Sequence, residues 1–297
     1  MTRPAISRTV AFAQGKGGVG KTTCATNVAG LAALIPGIRV LVVDLDPQGN
    51  VARDLGYEPD SGKALHDALL VSGDLPILRD VREKLDVVPG GPQIGFLPDY
   101  FASRARQGSE GFGAALHESL QRVAGGYDLI LIDTPPGDRV IVDGVLETVR
   151  SVIIPTRSDD ASIDGVERVA ERFLSVRDRN PALTLAGVVL FAISARATRL
   201  EDRVRTNLEA MLDQAAPVFR SRIREQSGAA ADARRYGMLV HELEANAPTD
   251  AERLRQLREG RDMPVKFHAR NTTGLAEDFE ALTKEILERV AQIEQGE

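Results

Sequence analysis

Short apolar runs alternate along the chain with segments of helical periodicity. The runs cover residues 9–13, 39–43, 85–89, 128–132, 151–155 and 185–191, with two shorter candidates at 217–219 and 238–240. Continuous apolar runs of this length are typical of parallel strands that are buried on both faces. The segments between them predict helices over residues 22–35, 61–71, 113–124, 140–149, 163–178, 199–214, 228–235 and 273–294. The alternation predicts an α/β fold, a doubly wound and mostly parallel sheet with helices on both faces.

A glycine-rich segment lies between the first predicted strand and the first predicted helix. It matches the phosphate-loop pattern G-x-x-x-x-G-K-[ST] and consists of Gly15, Lys16, Gly17, Gly18, Val19, Gly20, Lys21, Thr22 and Thr23. The glycines let several backbone N–H groups converge on one anion, and the following helix adds its dipole. We expect Lys21 to reach the β- and γ-phosphates and the Thr22 hydroxyl to bind Mg²⁺. The segment therefore predicts a nucleoside triphosphate site on a phosphate-loop NTPase fold.

Two of the predicted strands end in aspartates that are followed by turn residues. Asp44 and Asp46 follow the second strand, and Asp133 follows the fourth. Parallel strands present such groups together at the carboxyl edge of the sheet. An aspartate at this position is the usual second contact to Mg²⁺ in phosphate-loop NTPases, and Asp133 fits that role. One of the other two aspartates is expected to polarise the attacking water.

Composition limits the class of protein. The chain has 297 residues, of which 43% are hydrophobic and 27% charged, and these values are ordinary for a globular protein. It contains no apolar run of transmembrane length, and its first strand begins too early for a signal peptide. Its single cysteine, Cys24, excludes an intrachain disulfide framework. We therefore expect a cytoplasmic protein. The pattern of elements predicts a single NTPase domain over residues 1–297, with an insertion at 245–270 and a C-terminal helix at 273–294.

Charge is distributed unevenly along the chain. The net charge is −6, but residues 196–270 hold 15 Lys and Arg against 12 Asp and Glu. Residues 271–297 hold 2 basic residues against 7 acidic ones. Any contact with nucleic acid is therefore expected to come from a local patch in the C-terminal third.

Three segments together resemble one known family. Residues 16–23, 44–50 and 132–136, which read KGGVGKTT, DLDPQGN and IDTPP, are similar to the ParA family of partition ATPases. That family belongs to the deviant phosphate-loop group, which also contains MinD and the nitrogenase iron protein. The resemblance extends over most of residues 9–243 and resumes at the last helix.

The resemblance implies roles for individual residues. Lys16 would cross a homodimer interface to the phosphates of the partner's ATP, while Lys21 would act within its own subunit. Thr22 would bind Mg²⁺, Asp46 would orient the hydrolytic water, and Asp44 would lie near the metal. Asp133 would begin the second switch segment. ATP and Mg²⁺ would be the cofactors, and dimerisation would depend on the γ-phosphate.

The resemblance also implies partners. ATP-bound dimers of the family bind DNA without sequence specificity, and a ParB-like centromere-binding protein or another adaptor stimulates hydrolysis. Such a protein would be associated with the nucleoid. The candidate DNA contacts are nine arginines of the C-terminal third: Arg196, Arg199, Arg203, Arg205, Arg220, Arg222, Arg224, Arg234 and Arg235. Phosphate contacts by such residues weaken steeply with salt. Alternatively, many of them are solvated or pair with Glu201, Asp202, Glu225 and Asp232.

The chain departs from the family pattern at several points. Gln14–Gly15 stands where many members have Asn-Gln, and Ile223–Arg224 replaces an Ile-Pro pair before the adenine-side helix. The N-terminal helix-turn-helix of some plasmid members is not expected. A MinD-like positioning ATPase is the main alternative, but the acidic C-terminal segment would be repelled by anionic lipid, so no membrane contact is expected. An iron protein needs cluster-binding cysteines, which a chain with Cys24 alone lacks.

Overall fold

One sheet of eight strands forms the centre of the computed structural model, which describes residues 3–194, 198–213, 216–246 and 273–296. In chain order the strands are β1 Ile6–Phe12, β2 Val40–Asp44, β3 Leu78–Arg82, β4 Leu85–Val88, β5 Leu129–Asp133, β6 Val149–Thr156, β7 Thr184–Ile193 and β8 Val218–Arg224. Their order across the sheet is β3-β4-β2-β5-β1-β6-β7-β8. Only the pairing of β3 with β4 is antiparallel among these strands. The predicted mostly parallel sheet is therefore confirmed.

Helices cover both faces of this sheet. The described helices are α1 Lys21–Ala33, α2 Asn50–Leu55, α3 Lys63–Leu70, α4 Leu97–Arg106, α5 Phe112–Ala124, α6 Arg139–Leu146, α7 Asp160–Val176, α8 Thr198–Leu212, α9 Ser227–Tyr236, α10 Val240–Asn246 and α11 Thr273–Gln295, with a 3₁₀ helix at Pro92–Phe96. Helices α3 to α8 supply buried side chains to one core, and α1, α2 and α9 to α11 supply them to the other. The fold is doubly wound, as the apolar pattern predicts.

The structure differs from the predicted elements in a few places. Residues 238–240 are not a strand, because residue 240 begins α10 and its side chain and Leu239 pack into the α1 side of the core. Helices α2 and α4 and strand β3 were not predicted. Helix α2 has only six residues, and β3 has no buried position, so neither carries a periodic apolar signal. The predicted insertion at 245–270 lies, from residue 247 onwards, outside the described residues.

The register of the sheet brings the predicted site together. Strand β5 lies between β1 and β2, so the loop that follows β1 lies next to the end of β5, and the end of β2 is one strand further along the same edge. Asp44 is the direct register partner of Asp133, and Phe12, at the end of β1, is the partner of Asp133 on the other side. The carboxyl edge of three adjacent strands therefore carries the candidate residues, as expected for a parallel sheet.

The C-terminal helix α11 packs onto the same side of the sheet as α1. Phe279, Leu282 and Ile286 are buried in this core, and Val290 and Ile293 extend the contact. The apolar face of α11 is thus used inside the fold. Among the helices that the structure describes, none combines the length and apolar content that a membrane crossing requires.

Candidate functional site

The glycine-rich loop joins β1 to α1 in a conformation that needs glycine. Gly18 and Gly20 have φ angles of +75° and +93°, in the left-handed region that other residues rarely adopt. A Cβ on Gly20 would also lie 2.5 Å from the ring of Phe191. The loop ends at Lys21, the first residue of α1, so its backbone leads directly into a helix N-terminus. This arrangement suits an anion.

Lys21 and Thr22 occupy the inner side of the loop. The Lys21 side chain is buried, and its Nζ donates to the carbonyl of Lys16 at 3.4 Å. Burial lowers the pKa of Lys21, while the charges of Asp133 and Asp46 oppose that shift. The Thr22 hydroxyl donates to Asp133 Oδ2 at 2.6 Å. The loop lysine, the threonine and the strand-end aspartate therefore form one connected group, as the motif predicts.

Asp44 and Asp46 lie beside Asp133 and are held by backbone N–H groups. Asp44 accepts from the N–H of Asp46 at 3.0 Å and from the N–H of Val51 at 3.3 Å. Asp46 accepts from the N–H of Gln48 at 2.9 Å. Burial raises the pKa of both carboxyls, and the charge of Asp133 raises that of Asp44 further. The segment is therefore an ordered turn whose negative charge is disfavoured without a cation.

The group fits a magnesium ion. Burial raises the pKa of Asp133 to about 7, although the Thr22 hydroxyl and Lys21 partly counteract the shift. Its Oδ1 is buried and has no hydrogen-bond partner among the described residues. Carboxylate and hydroxyl oxygens are the hard donors that Mg²⁺ prefers. Thr22, Asp133 and Asp44 are thus the residues that would hold Mg²⁺, and the ion would offset the buried negative charge.

Asp133→Asn is expected to stabilise the protein without nucleotide or Mg²⁺ by up to about 4 kcal/mol at pH 8, since each pKa unit corresponds to about 1.4 kcal/mol. The folded pKa of about 7 lies above the ordinary value of 3.8, so burying the carboxyl lowers stability as pH rises through this window. At pH 4 the variant and the wild type should have nearly the same free energy of unfolding, because the buried carboxyl is then protonated. Urea unfolding at the two pH values measures it, and equal or lower stability of the variant at pH 8 would contradict the burial cost.

The Lys16 side chain extends from the loop to α7, unlike that of Lys21. Its Nζ forms a short ion pair with Asp159 and donates to the Ser162 hydroxyl at 3.2 Å, and its side chain is 36% exposed. Asp159 also caps α7, because it accepts from the Ser162 N–H at 3.0 Å. The hydrogen bond from Lys16 lowers the pKa of Asp159. Asp159 and Ser162 were not predicted as site residues, because their only local signal is an Asp-x-x-Ser helix start.

Gln14 fixes the entry to the loop and was also missed as a site residue. Its buried amide donates to the carbonyl of Ser162 at 3.1 Å and accepts from the N–H of Gly15 at 2.7 Å. Gly165 allows this contact, because a Cβ there would collide with the Gln14 amide. Gln14 thus connects the loop to α7, which carries the Lys16 partners.

A cavity of about 260 Å³ opens beside the loop. Thr23 and Asn27 of α1 form one side of it, and Ala230 and Ala233 of α9 form another. The remaining wall is mostly apolar and includes Phe191, Ile223, Leu239, Leu275 and Phe279. Ile223 and Arg224, where the sequence departs from the family pattern, both line this cavity. Its position next to the phosphate loop and its apolar wall suit a nucleobase.

The candidate DNA-binding arginines fall into different environments. Arg199 and Arg203 on α8, Arg220 on β8 and Arg234 and Arg235 on α9 are exposed. Arg234 also lies 3.7 Å from Asp54, and Arg235 stacks on Tyr236. Arg196 lies outside the described residues.

Three of the candidates are held by intramolecular contacts. Arg205 donates to the carbonyl of Phe219 at 2.7 Å, Arg222 pairs with Glu201, and Arg224 forms a two-point bridge to Asp278 at 2.7 and 2.8 Å. The alternative that such arginines pair with Glu201 therefore applies to Arg222 and, at 3.6 Å, to Arg205. Arg224 pairs instead with Asp278, which was not among the predicted partners. Contact between any of these arginines and DNA stays a prediction.

Comparison with known proteins identifies relatives of this chain. A family model described as an AAA domain matches residues 7–185. Sporulation initiation inhibitor protein Soj of Bacillus subtilis is 32% identical over 196 residues, which cover 64% of this chain and 75% of Soj. Chromosome partitioning protein ParA of Caulobacter vibrioides is 32% identical over 212 residues, covering 68% and 76% of the two chains.

Solved structures share the fold. McdA of Cyanothece in complex with ATP superposes with a TM-score of 0.70 at 19% identity, over 88% of this chain and all of McdA. Cobyrinic acid a,c-diamide synthase of Mycobacterium smegmatis, with an ATP analogue and magnesium, superposes with a TM-score of 0.64 at 29% identity, over 88% of this chain and all of the synthase. The loop geometry, the strand-end aspartates and these similarities agree: the chain belongs to the ParA family of partition ATPases.

Proposed function

We propose that this ParA-like ATPase binds MgATP, pairs with a second ATP-bound copy, and then binds DNA without sequence specificity. Hydrolysis, stimulated by a ParB-like centromere-binding protein or another adaptor, would release the dimer from DNA. In this way the protein would drive plasmid or chromosome partition. It would act in the cytoplasm at the nucleoid.

The observation that carries the proposal is the difference between the two loop lysines. Lys21 is buried within its own loop, whereas Lys16 points out of the loop and pairs with Asp159 on α7. A lysine outside its own phosphate site can serve a phosphate in another copy. ATP would then be part of the interface, so dimerisation would require the γ-phosphate.

The residues of the loop supply the chemistry of hydrolysis. Lys21 and the loop N–H groups would stabilise charge on the phosphates, which is the main requirement in phosphoryl transfer. Asp46 would orient the attacking water from its turn at the end of β2. Bound Mg²⁺ would supply further charge stabilisation, and Thr22, Asp44 and Asp133 would hold it.

DNA binding by the wild-type protein tests the proposal. With ATP, we expect log K to fall linearly with log salt, with a slope that reports several phosphate contacts. With ADP or without nucleotide, binding should be much weaker, because no dimer presents two basic surfaces. Fluorescence anisotropy with two DNA duplexes of unrelated sequence, titrated with salt, measures both effects. Equal binding in all nucleotide states would overturn the proposal.

Charge reversal on α8 tests whether this helix belongs to the DNA-binding surface. The double variant Arg199→Glu and Arg203→Glu should weaken DNA binding and reduce the salt slope by about 2 or more, since each lost phosphate contact removes roughly one unit. Both side chains are exposed, so the fold should tolerate the change. Arg106→Glu on α4, another exposed arginine, is the matched control. A similar loss in the control would indicate only a general charge effect.

The second candidate is a MinD-like or protein-cargo positioning ATPase that acts on a membrane or nucleoid surface. A MinD-like membrane role needs a free amphipathic C-terminal helix. Here the apolar side chains of α11, including Phe279, Leu282 and Ile286, are buried against the rest of the fold. This observation favours the DNA-binding proposal over a membrane-binding one. Binding to anionic vesicles with ATP, in the absence of DNA, would reverse that preference.

A further inference from the structure

Helix α2 connects the Asp44–Asp46 segment to α9, which forms one wall of the cavity beside the phosphate loop. Its first turn holds Asp44, because the Val51 N–H donates to Asp44 Oδ2 at 3.3 Å. Its other end meets α9, which lines the cavity with Ala230 and Ala233. Six residues at 1.5 Å per residue give a rigid element about 9 Å long. One short helix therefore links α9 to the turn that holds Asp44.

The two helices meet at a pair of glycines. Gly56 follows the end of α2 with a φ of +68°, and Gly237 follows the end of α9 with a φ of +59°. A Cβ on Gly56 would lie 2.8 Å from the carbonyl oxygen of Gly237 and 3.0 Å from its Cα. A Cβ on Gly237 would collide with the Cα of Gly56. The backbones are thus in direct contact, and both conformation and space require glycine.

Arg82 of β3 stabilises the contact between the ends of α2 and α9. Its guanidinium donates to the carbonyl of Leu55 on α2 and to the carbonyl of Gly237, both at 3.0 Å. Glu242 of α10 accepts from the same guanidinium at 2.5 and 3.1 Å. A cation at two helix C-termini offsets the partial negative charge of their free carbonyls. Gly56, Gly237, Arg82 and Glu242 together form a unit that we call the α2–α9 joint.

We infer that the α2–α9 joint positions the Asp44–Asp46 segment. A nucleoside bound against α9 would thereby place these carboxylates in the geometry that hydrolysis requires. None of the four joint residues is among the described residues that line the cavity, and they act as positioning residues through α2 and α9. The inference rests on the proposed ATP hydrolysis at this site. It adds a structural connection through which a nucleoside bound in the cavity would affect the position of the Asp44–Asp46 segment at the end of β2.

The variant Gly56→Ala tests the joint, because the added methyl group forces α2 away from α9. We expect kcat for ATP hydrolysis to fall about tenfold or more, since small displacements of reacting groups are costly. The Kd for ADP should stay close to the wild-type value, because the variant changes no residue of the phosphate loop or of the cavity lining. Phosphate release and calorimetric titration with ADP measure the two quantities on the full chain.

Gly37→Ala is the matched control. Gly37 has a similar left-handed φ of +83°, but a Cβ there meets nothing within 4 Å, so it shares the strain without the contact. If Gly56→Ala shows no cooperative melting transition, Arg82→Lys replaces it, because a lysine keeps the charge but cannot bond both carbonyls and Glu242 as the guanidinium does. The lysine variant should show the same loss of kcat with retained ADP binding.

Two results would overturn the inference. One is a folded joint variant with the kcat of Gly37→Ala, and the other is a parallel loss of kcat and ADP affinity, which a purely structural role predicts. Absence of ATP hydrolysis in the wild-type protein would instead overturn the proposed function. The wild-type measurement therefore separates the two failures.

Discussion

Lys16→Ala is expected to weaken ATP-dependent dimerisation about 30-fold or more, which is the lower end of the cost of truncating one partner of a buried charge pair. The Lys16 side chain extends away from its own loop, and Lys21 contacts only its backbone carbonyl, so truncating the side chain should leave the in-subunit contacts of Lys21 and Thr22 intact. ATP should therefore still bind, but the variant should remain monomeric. Light scattering after gel filtration, with a slowly hydrolysed ATP analogue and Mg²⁺, gives the mass directly.

Asp159→Asn is the informative companion to this variant. Asp159 pairs with Lys16 within one subunit, so losing its charge frees the lysine but removes no group that faces the phosphates. The asparagine oxygen can still accept from the Ser162 N–H and cap α7. We expect this variant to dimerise with ATP at least as well as the wild type. An unchanged dimer in Lys16→Ala would contradict the proposed role of the lysine across the interface.

The chemistry of the site was largely predictable from the sequence because it lies in contiguous motifs. A glycine-rich loop before a helix and an aspartate after an apolar strand each define local geometry. The parallel sheet then brings them to one edge without further information. The register partnership of Asp44 with Asp133 and the hydrogen bond from Thr22 to Asp133 agree with that expectation.

The contacts that the sequence did not reveal join residues far apart in the chain. Lys16 and Asp159 are separated by 143 positions, and Arg82 and Glu242 by 160. No periodicity or spacing encodes such pairs, and many other carboxylates could serve either cation. The same holds for Arg224, whose partner Asp278 became identifiable only once α11 was placed beside β8, whereas Glu201, the partner of Arg222, was among the predicted acidic partners.

Elements without a buried periodic face were also missed. Strand β3 is an antiparallel edge strand with no buried position, and α2 is too short for one helical repeat of apolar residues. Tertiary contacts stabilise both, and the α2–α9 joint includes the ends of α2 and β3. The least predictable elements of the fold therefore contribute the contacts proposed to connect the cavity with the aspartates.

Asp46→Ala is expected to trap the ATP-bound dimer on DNA, with turnover reduced about 100-fold or more, the usual contribution of a group that positions or deprotonates water. Asp46 is largely buried beside the loop, and burial raises the pKa of its carboxyl, as suits a group that interacts with water. Removing it should leave Thr22, Asp133 and Lys21 in place. Single-turnover phosphate release and the lifetime of the DNA complex after dilution measure the two effects.

Asp60→Ala is the matched control for this experiment. Asp60 makes the same kind of turn, since its Oδ1 accepts from the N–H of Gly62 two residues later, as Asp46 does from Gln48. Asp60 is exposed, so removing its side chain tests the effect of losing such a turn without removing a group from the candidate site. We expect wild-type turnover from Asp60→Ala and a long-lived DNA complex only from Asp46→Ala. Normal turnover in Asp46→Ala would instead move the water-orienting role to another group at the end of β2, and Asp44 would be the first candidate.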